Sequence, residues 1–187
     1  MGIDPAAREL TIPVGVVLRR RPGVTRWARE VWQAVGVLPG AAPATMREMR
    51  RDGDVVEFHA ATVPLTLWRT DVDGYREALA MTPASVFVIL RPDGDGVAVH
   101  RVTASVYEAQ DFTDTGEEIV EPVPMPDGLA ATIKAFCDAH YEEVPFIKRK
   151  RDRTRVDRVE DGKGDPRIRQ TADVYRAPSG LKPGQGG

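Results

Sequence analysis

The run Ser85–Arg91, SVFVILR, is the strongest strand signal in the chain, and it constrains the fold more than any other segment. It is continuous, apolar and rich in β-branched and aromatic residues, and a cluster of turn residues bounds it. Asp93-Gly94-Asp95-Gly96 follows, then VAVHRV over Val97–Val102. Strand, turn and strand in so few residues predict an antiparallel hairpin. A hairpin needs no long crossover, so the chain around it is expected to build an antiparallel sheet.

Other strands are predicted at Thr11–Arg20, Glu30–Leu38, Val55–His59, Val63–Arg69 and Glu118–Val123. Arg21-Pro22-Gly23 ends the first, and Pro39–Pro43 is a loop. A bend is expected near Thr62-Val63-Pro64. Asp71 can cap a short helix over Val72–Met81, with Val72, Tyr75, Ala78 and Leu79 at helical spacing and Pro83 as the stop. Ser105-Val106-Tyr107-Glu108 has the form of a capping box and predicts a short helix ending before Gly116.

The most regular helix is the last. Asp127 is its candidate N-cap, and Leu129, Ile133, Phe136, Cys137, His140 and Tyr141 recur at steps of three and four. Val144 before Pro145 marks its end. The expected fold is α+β: a mostly antiparallel sheet or open barrel of about seven strands, with a C-terminal amphipathic helix. Residues 11–147 form the single domain.

Beyond Phe146 the apolar signal collapses. Lys148–Arg158 reads KRKRDRTRVDR, and the remainder is polar and rich in Gly and Pro. Too little apolar surface is present to offset the entropy of ordering, so residues 148–187 are expected to be a disordered basic tail. Charge is divided the same way. The tail carries a balance of +6, and the rest of the chain −8, within a net charge of −2. A broad phosphate-binding face needs a basic body, so nucleic acid is not the expected partner.

One cysteine, Cys137, excludes an intrachain disulfide. The first residues, MGIDPAARELTIPVG, lack the apolar run of a signal peptide, and no window is long enough for a spanning helix. The expected setting is soluble and cytoplasmic.

Candidate chemistry is sparse. Cys137 and His140 stand one helical turn apart, but zinc needs further ligands, and His59 and His100 fall in strands without companions. A Cys–His nucleophile pair would need an exposed, stabilised thiolate, which an apolar helix face does not offer. Glu108, Asp111, Asp114, Glu117, Glu118 and Glu121 form an acidic run without EF-hand spacing, read as a solvated face or a dock for the basic tail. Neither a phosphate-binding loop nor a dinucleotide fingerprint occurs. No catalytic residue, cofactor or metal site is therefore expected. Arg19-Arg20-Arg21 adds a basic spot at a strand end, and Trp32 and Trp68 are expected to anchor the core.

Three blocks carry a family resemblance. They are PVGVVLRRRPGVTRWAREVWQAVGVLPG, VEFHAATVPLTLWRTDVDGYREALAMTPASVFVILRP, and VTASVYEAQDFTDTGEEIVEPVPMPDGL with the later EEVPFIKRKRDR. Together they resemble a bacterial family catalogued as domain of unknown function 3305, from Ile12 to Arg153. The resemblance carries over no catalytic residue. It implies a gene neighbourhood of molybdenum-dependent formate dehydrogenase components, and so a role in assembling or supporting that enzyme. Some relatives bear a label for molybdenum-cofactor guanylylation, an activity that would call for the phosphate loop this sequence lacks.

The expected function is a non-enzymatic accessory protein that contacts a formate dehydrogenase component. Phe146, Lys148, Arg149, Lys150 and Arg151 are the expected contact, with an apolar anchor followed by charge steering. A small-ligand or cofactor-binding module at the mouth of an open barrel is the alternative. A molybdenum-cofactor nucleotidyltransferase is the third.

Overall fold

The computed structural model describes residues 7–23 and 30–141. Seven strands and three α-helices follow one another in the order β1 (Glu9–Pro22), β2 (Glu30–Pro39), β3 (Thr45–Asp52), β4 (Val55–Trp68), α1 (Val72–Ala80), β5 (Ser85–Asp93), β6 (Gly96–Thr103), α2 (Val106–Thr115), β7 (Ile119–Pro124) and α3 (Asp127–His140). A 3-10 turn, Arg69–Asp71, joins β4 to α1. All strand pairs are antiparallel.

The strands form two open sheets, one ordered β2-β1-β4-β3 and the other β6-β5-β7. They meet where β4 lies beside β6 and β2 beside β7. At the second meeting point the Ala34 N–H donates to a Glu121 carboxylate oxygen. Val14, Val16, Leu18, Leu65, Leu67, Val88 and Leu90 belong to one apolar cluster shared by both sheets, and each is fully buried.

The six residues Ser85–Leu90 of β5 are all buried. That explains the unbroken apolar run: β5 is covered on both faces. Helices α1 and α2 pack against β5, and α3 packs on α1. The stripe Leu129, Ile133, Phe136 and Cys137 is the buried side of α3, and the Phe136 ring meets Tyr75 of α1 edge-on at 6.4 Å.

Several expectations need correction. The segments Val55–His59 and Val63–Arg69 are one continuous strand, β4, which runs through Pro64. Strand β3 was not expected, because all eight of its residues are exposed and it has no apolar alternation. Pro126, not Asp127, is the N-cap of α3. His140 is only partly buried and Tyr141 is 40% exposed, so neither completes the apolar stripe. Helix α3 ends at His140 with Tyr141 as its C-cap, short of the expected end at Val144; Val144 itself and the whole of 148–187 lie outside the described residues.

Candidate functional site

β4 alternates along its final turns of pleat. Leu65 and Leu67 point into the core, so Pro64, Thr66 and Trp68 face the other way. The strand ends at Trp68, and the chain turns through Arg69–Asp71 into α1. A second exit lies beside it. Strand β6 ends at Thr103 and passes through Ala104 and Ser105 into α2. Ser105 is a true N-cap: its Oγ accepts from the Glu108 N–H at 3.3 Å. Gly116 closes the helix in the left-handed region, φ 70°.

The two strand-to-helix corners touch through Gly74 of α1. A Cβ placed on Gly74 would lie 2.4 Å from Ser105 Oγ, so only glycine permits this approach. Between the corners lies a half-open groove of about 640 Å³. Its walls include Thr66 and Trp68 from β4, Asp71 and Asp73 at the start of α1, His100 and Arg101 from β6, and Tyr107, Glu108 and Asp111 from α2.

Two large rings stand open at this groove, Trp68 at 47% exposure and Tyr107 at 52%. Four carboxylates surround them. Arg101 Nη1 donates to Glu108 Oε1 at 2.5 Å, which neutralises one of them. Asp71 Oδ1 accepts from Thr70 Oγ1 at 2.9 Å. Asp73 and Asp111 are exposed and make no ion pair among the described residues. The groove thus carries net negative charge beside exposed aromatic surface.

The acidic run does not act as a unit. Glu108 is tied to Arg101, Glu118 to Arg91 at 2.8 Å, and Glu121 to the Ala34 N–H across the sheets. Asp111 alone of these six shares the groove with Glu108. Arg91 and the Thr115 hydroxyl hold the Glu118 carboxyl below the usual carboxylate range.

Cys137 and His140 are turned to separate tasks. Cys137 is 2% exposed, and burial pushes its thiol up to about 11. A thiol so placed stays protonated at neutral pH and is a poor nucleophile. The His140 ring packs on Phe136 at a 52° tilt, with centroids 4.5 Å apart. His59 is buried in β4, where its Nε2 donates to Thr62 Oγ1 at 2.9 Å and the Thr62 hydroxyl donates to Ala42 O. His100 lies on the groove wall, with its ring edge-on to Phe112 at 5.8 Å. Among the described residues, no three His, Cys, Asp or Glu side chains gather as a metal centre would require. Arg19 and Arg20 pair with Glu57 and Glu30.

Trp68 was expected to anchor the core, and it does not. The signal was legible: with Leu65 and Leu67 inward, strand periodicity puts Trp68 outward. Trp32 is partly buried and packs on the core as expected. The expected contact residues Phe146, Lys148, Arg149, Lys150 and Arg151 lie outside the described residues.

Residues 13–150 match the family model described as Protein of unknown function (DUF3305). The chain belongs to this family. The DUF3305 match spans every described element from Pro13 onward, including both corners of the groove. Neither a curated protein nor a solved structure matches the chain. Among the described residues of this DUF3305 member, no helix is long and apolar enough to cross a membrane.

Proposed function

We propose that the protein is a non-enzymatic accessory protein that holds a partner chain at the groove between the β4–α1 and β6–α2 corners. The observation that carries this reading is the pair of exposed rings, Trp68 and Tyr107, at one groove. Tyr and Trp are the residues that most often carry binding energy at protein interfaces. Here they sit on rigid ground, one at the end of a strand and one in the first turn of a capped helix.

The shielded Cys137 thiol weighs against nucleophilic chemistry. The partner identity rests on the family resemblance, which points to a component of a molybdenum-dependent formate dehydrogenase. Phe146 and Lys148–Arg151 remain part of the proposed contact, as a second, charge-steered attachment.

The test is co-purification of formate dehydrogenase subunits with the tagged full-length chain. The W68A/Y107A variant is expected to lose the subunits while its unfolding transition stays cooperative. Equal recovery with both forms overturns the proposal.

A further inference from the structure

We infer that the occupant of the groove is a lysine- or arginine-bearing segment of the partner chain. This rests on the groove being the docking face. Asp71, Asp73, Glu108 and Asp111 line the groove with His100 and Arg101, and Arg101 is already paired with Glu108. An acidic segment would meet unbalanced carboxylates. A wholly apolar one would strip water from Asp73 and Asp111 and offer them no counter-charge.

The rings narrow the choice further. Trp68 and Tyr107 offer broad apolar faces with negative π surfaces beside those carboxylates. The side chains that satisfy both are Lys and Arg, which lay an apolar stem on a ring and reach a carboxylate with the charged head. The chain sets an arginine over an aromatic ring within itself twice, and Arg20 also pairs with Glu30. Arg76 stands 3.7 Å from the Tyr141 ring centroid, and Arg20 lies 5.9 Å and 5.6 Å from those of Trp32 and Phe58.

Asp111 lies one helical turn beyond Tyr107 on the same side of α2, and Asp73 of α1 lines the same groove. A cationic head over Tyr107 therefore has a carboxylate within a turn. A partner residue over Trp68 has Asp71 and Asp73 beyond the strand end.

The full-length protein is titrated with a labelled, Gly/Ser-spaced arginine peptide of about twelve residues, read by anisotropy. A glutamate peptide of equal length and spermidine are run beside it. The arginine peptide is expected to bind and to weaken about tenfold between roughly 50 and 300 mM salt. D73N/D111N and W68A are each expected to cost about tenfold or more in affinity. D93N/D95N, which removes equal charge at the β5–β6 hairpin tip, is expected to change nothing.

Binding of the glutamate peptide, tight binding of spermidine, or indifference to D73N/D111N overturns the inference. Failure of the arginine peptide, with formate dehydrogenase capture still lost in W68A/Y107A, sinks this inference alone. Capture that ignores W68A/Y107A sinks the functional reading itself.

Discussion

The backbone N–H of Trp68 donates to the Tyr75 hydroxyl at 2.9 Å. The bond fixes the end of β4 against the second turn of α1, and so fixes the ring that rims the groove. Tyr75 is 1% exposed, and burial pushes its phenol up to about 12. A hydroxyl in that setting stays neutral and serves as a permanent acceptor. Replacing Tyr75 with Phe keeps the ring contact with Phe136 and orphans the Trp68 N–H. The expected cost is about 1–2 kcal/mol in urea unfolding. The Trp68 emission is expected to change as well, with W68F as the subtraction control. Unchanged stability and spectrum would show that the bond does not position the ring.

Gly74 holds the two corners of the groove together, and its neighbour is Ser105 Oγ. Alanine at an exposed helical site gains up to about 1 kcal/mol over glycine. Gly128 in α3 faces open space, so G128A is expected to be neutral or slightly stabilising. G74A is expected to destabilise by about 1–3 kcal/mol, because the new methyl must displace Ser105 or break its cap on Glu108. The double variant G74A/S105A removes the closest clashing atom. Its loss is expected to be smaller than the sum of the two single losses, and strict additivity would rule out the contact.

The sequence states most of this fold because most of its elements are buried on one side or both. β5, β1 and α3 announce themselves through apolar periodicity: β5 and β1 lie where expected, and α3 buries the first four positions of its expected stripe. Two errors cancelled in the count of seven strands. β3, TMREMRRD, is an edge strand with every side chain in solvent, so no pattern betrays it. Pro64 read as a bend, yet it lies opposite Pro13 inside a continuous β1–β4 ladder. Each proline sits where its strand has lost its other neighbour. β2 pairs no further than Val14, and β3 no further than Ala61. Gly40 N–H donates to Pro13 O, so Pro13 turns its polar backbone away from β4, and the missing N–H costs no ladder bond. The groove was less legible. It joins residues from β4, α1, β6 and α2, and only the tertiary approach of Gly74 to Ser105 brings them together.

Glu118 links the α2–β7 connection to β5. Its side chain is 4% exposed, and its Oε1 accepts from Arg91 Nε and Nη2 at 3.1 and 2.8 Å. Its folded carboxyl lies below the ordinary value of 4.5, chiefly through Arg91 and then Thr115. The stabilisation is therefore present above that value and disappears as pH falls through the folded one. E118Q is expected to be less stable than the parent at pH 7, and the two are expected to converge in acid. Urea midpoints measured from pH 7 to pH 3 check this. A gap that persists unchanged in acid would mean that the ion pair is not its source.

Cys137 gives the opposite slope. Its thiol is pushed from 9.0 to about 11, first by burial and then by the charge of Asp138. The native state therefore holds its proton more tightly than the unfolded chain does. The contribution is complete below the ordinary thiol value and is lost as pH rises from about 9 toward 11, at up to about 1.4 kcal/mol per pH unit. Tyr75 adds a loss in the same direction, from its ordinary 10.0 toward about 12. C137A leaves a small cavity and lowers stability at every pH. Between pH 9 and 10, however, its stability is expected to fall less steeply than that of the parent. Maleimide labelling supplies an independent reading: the native thiol is expected to react only at the rate of opening, and the urea-unfolded chain at once. Parallel pH slopes in the two proteins, or rapid labelling of the native state, would mean that Cys137 is not shielded by the α1–α3 packing.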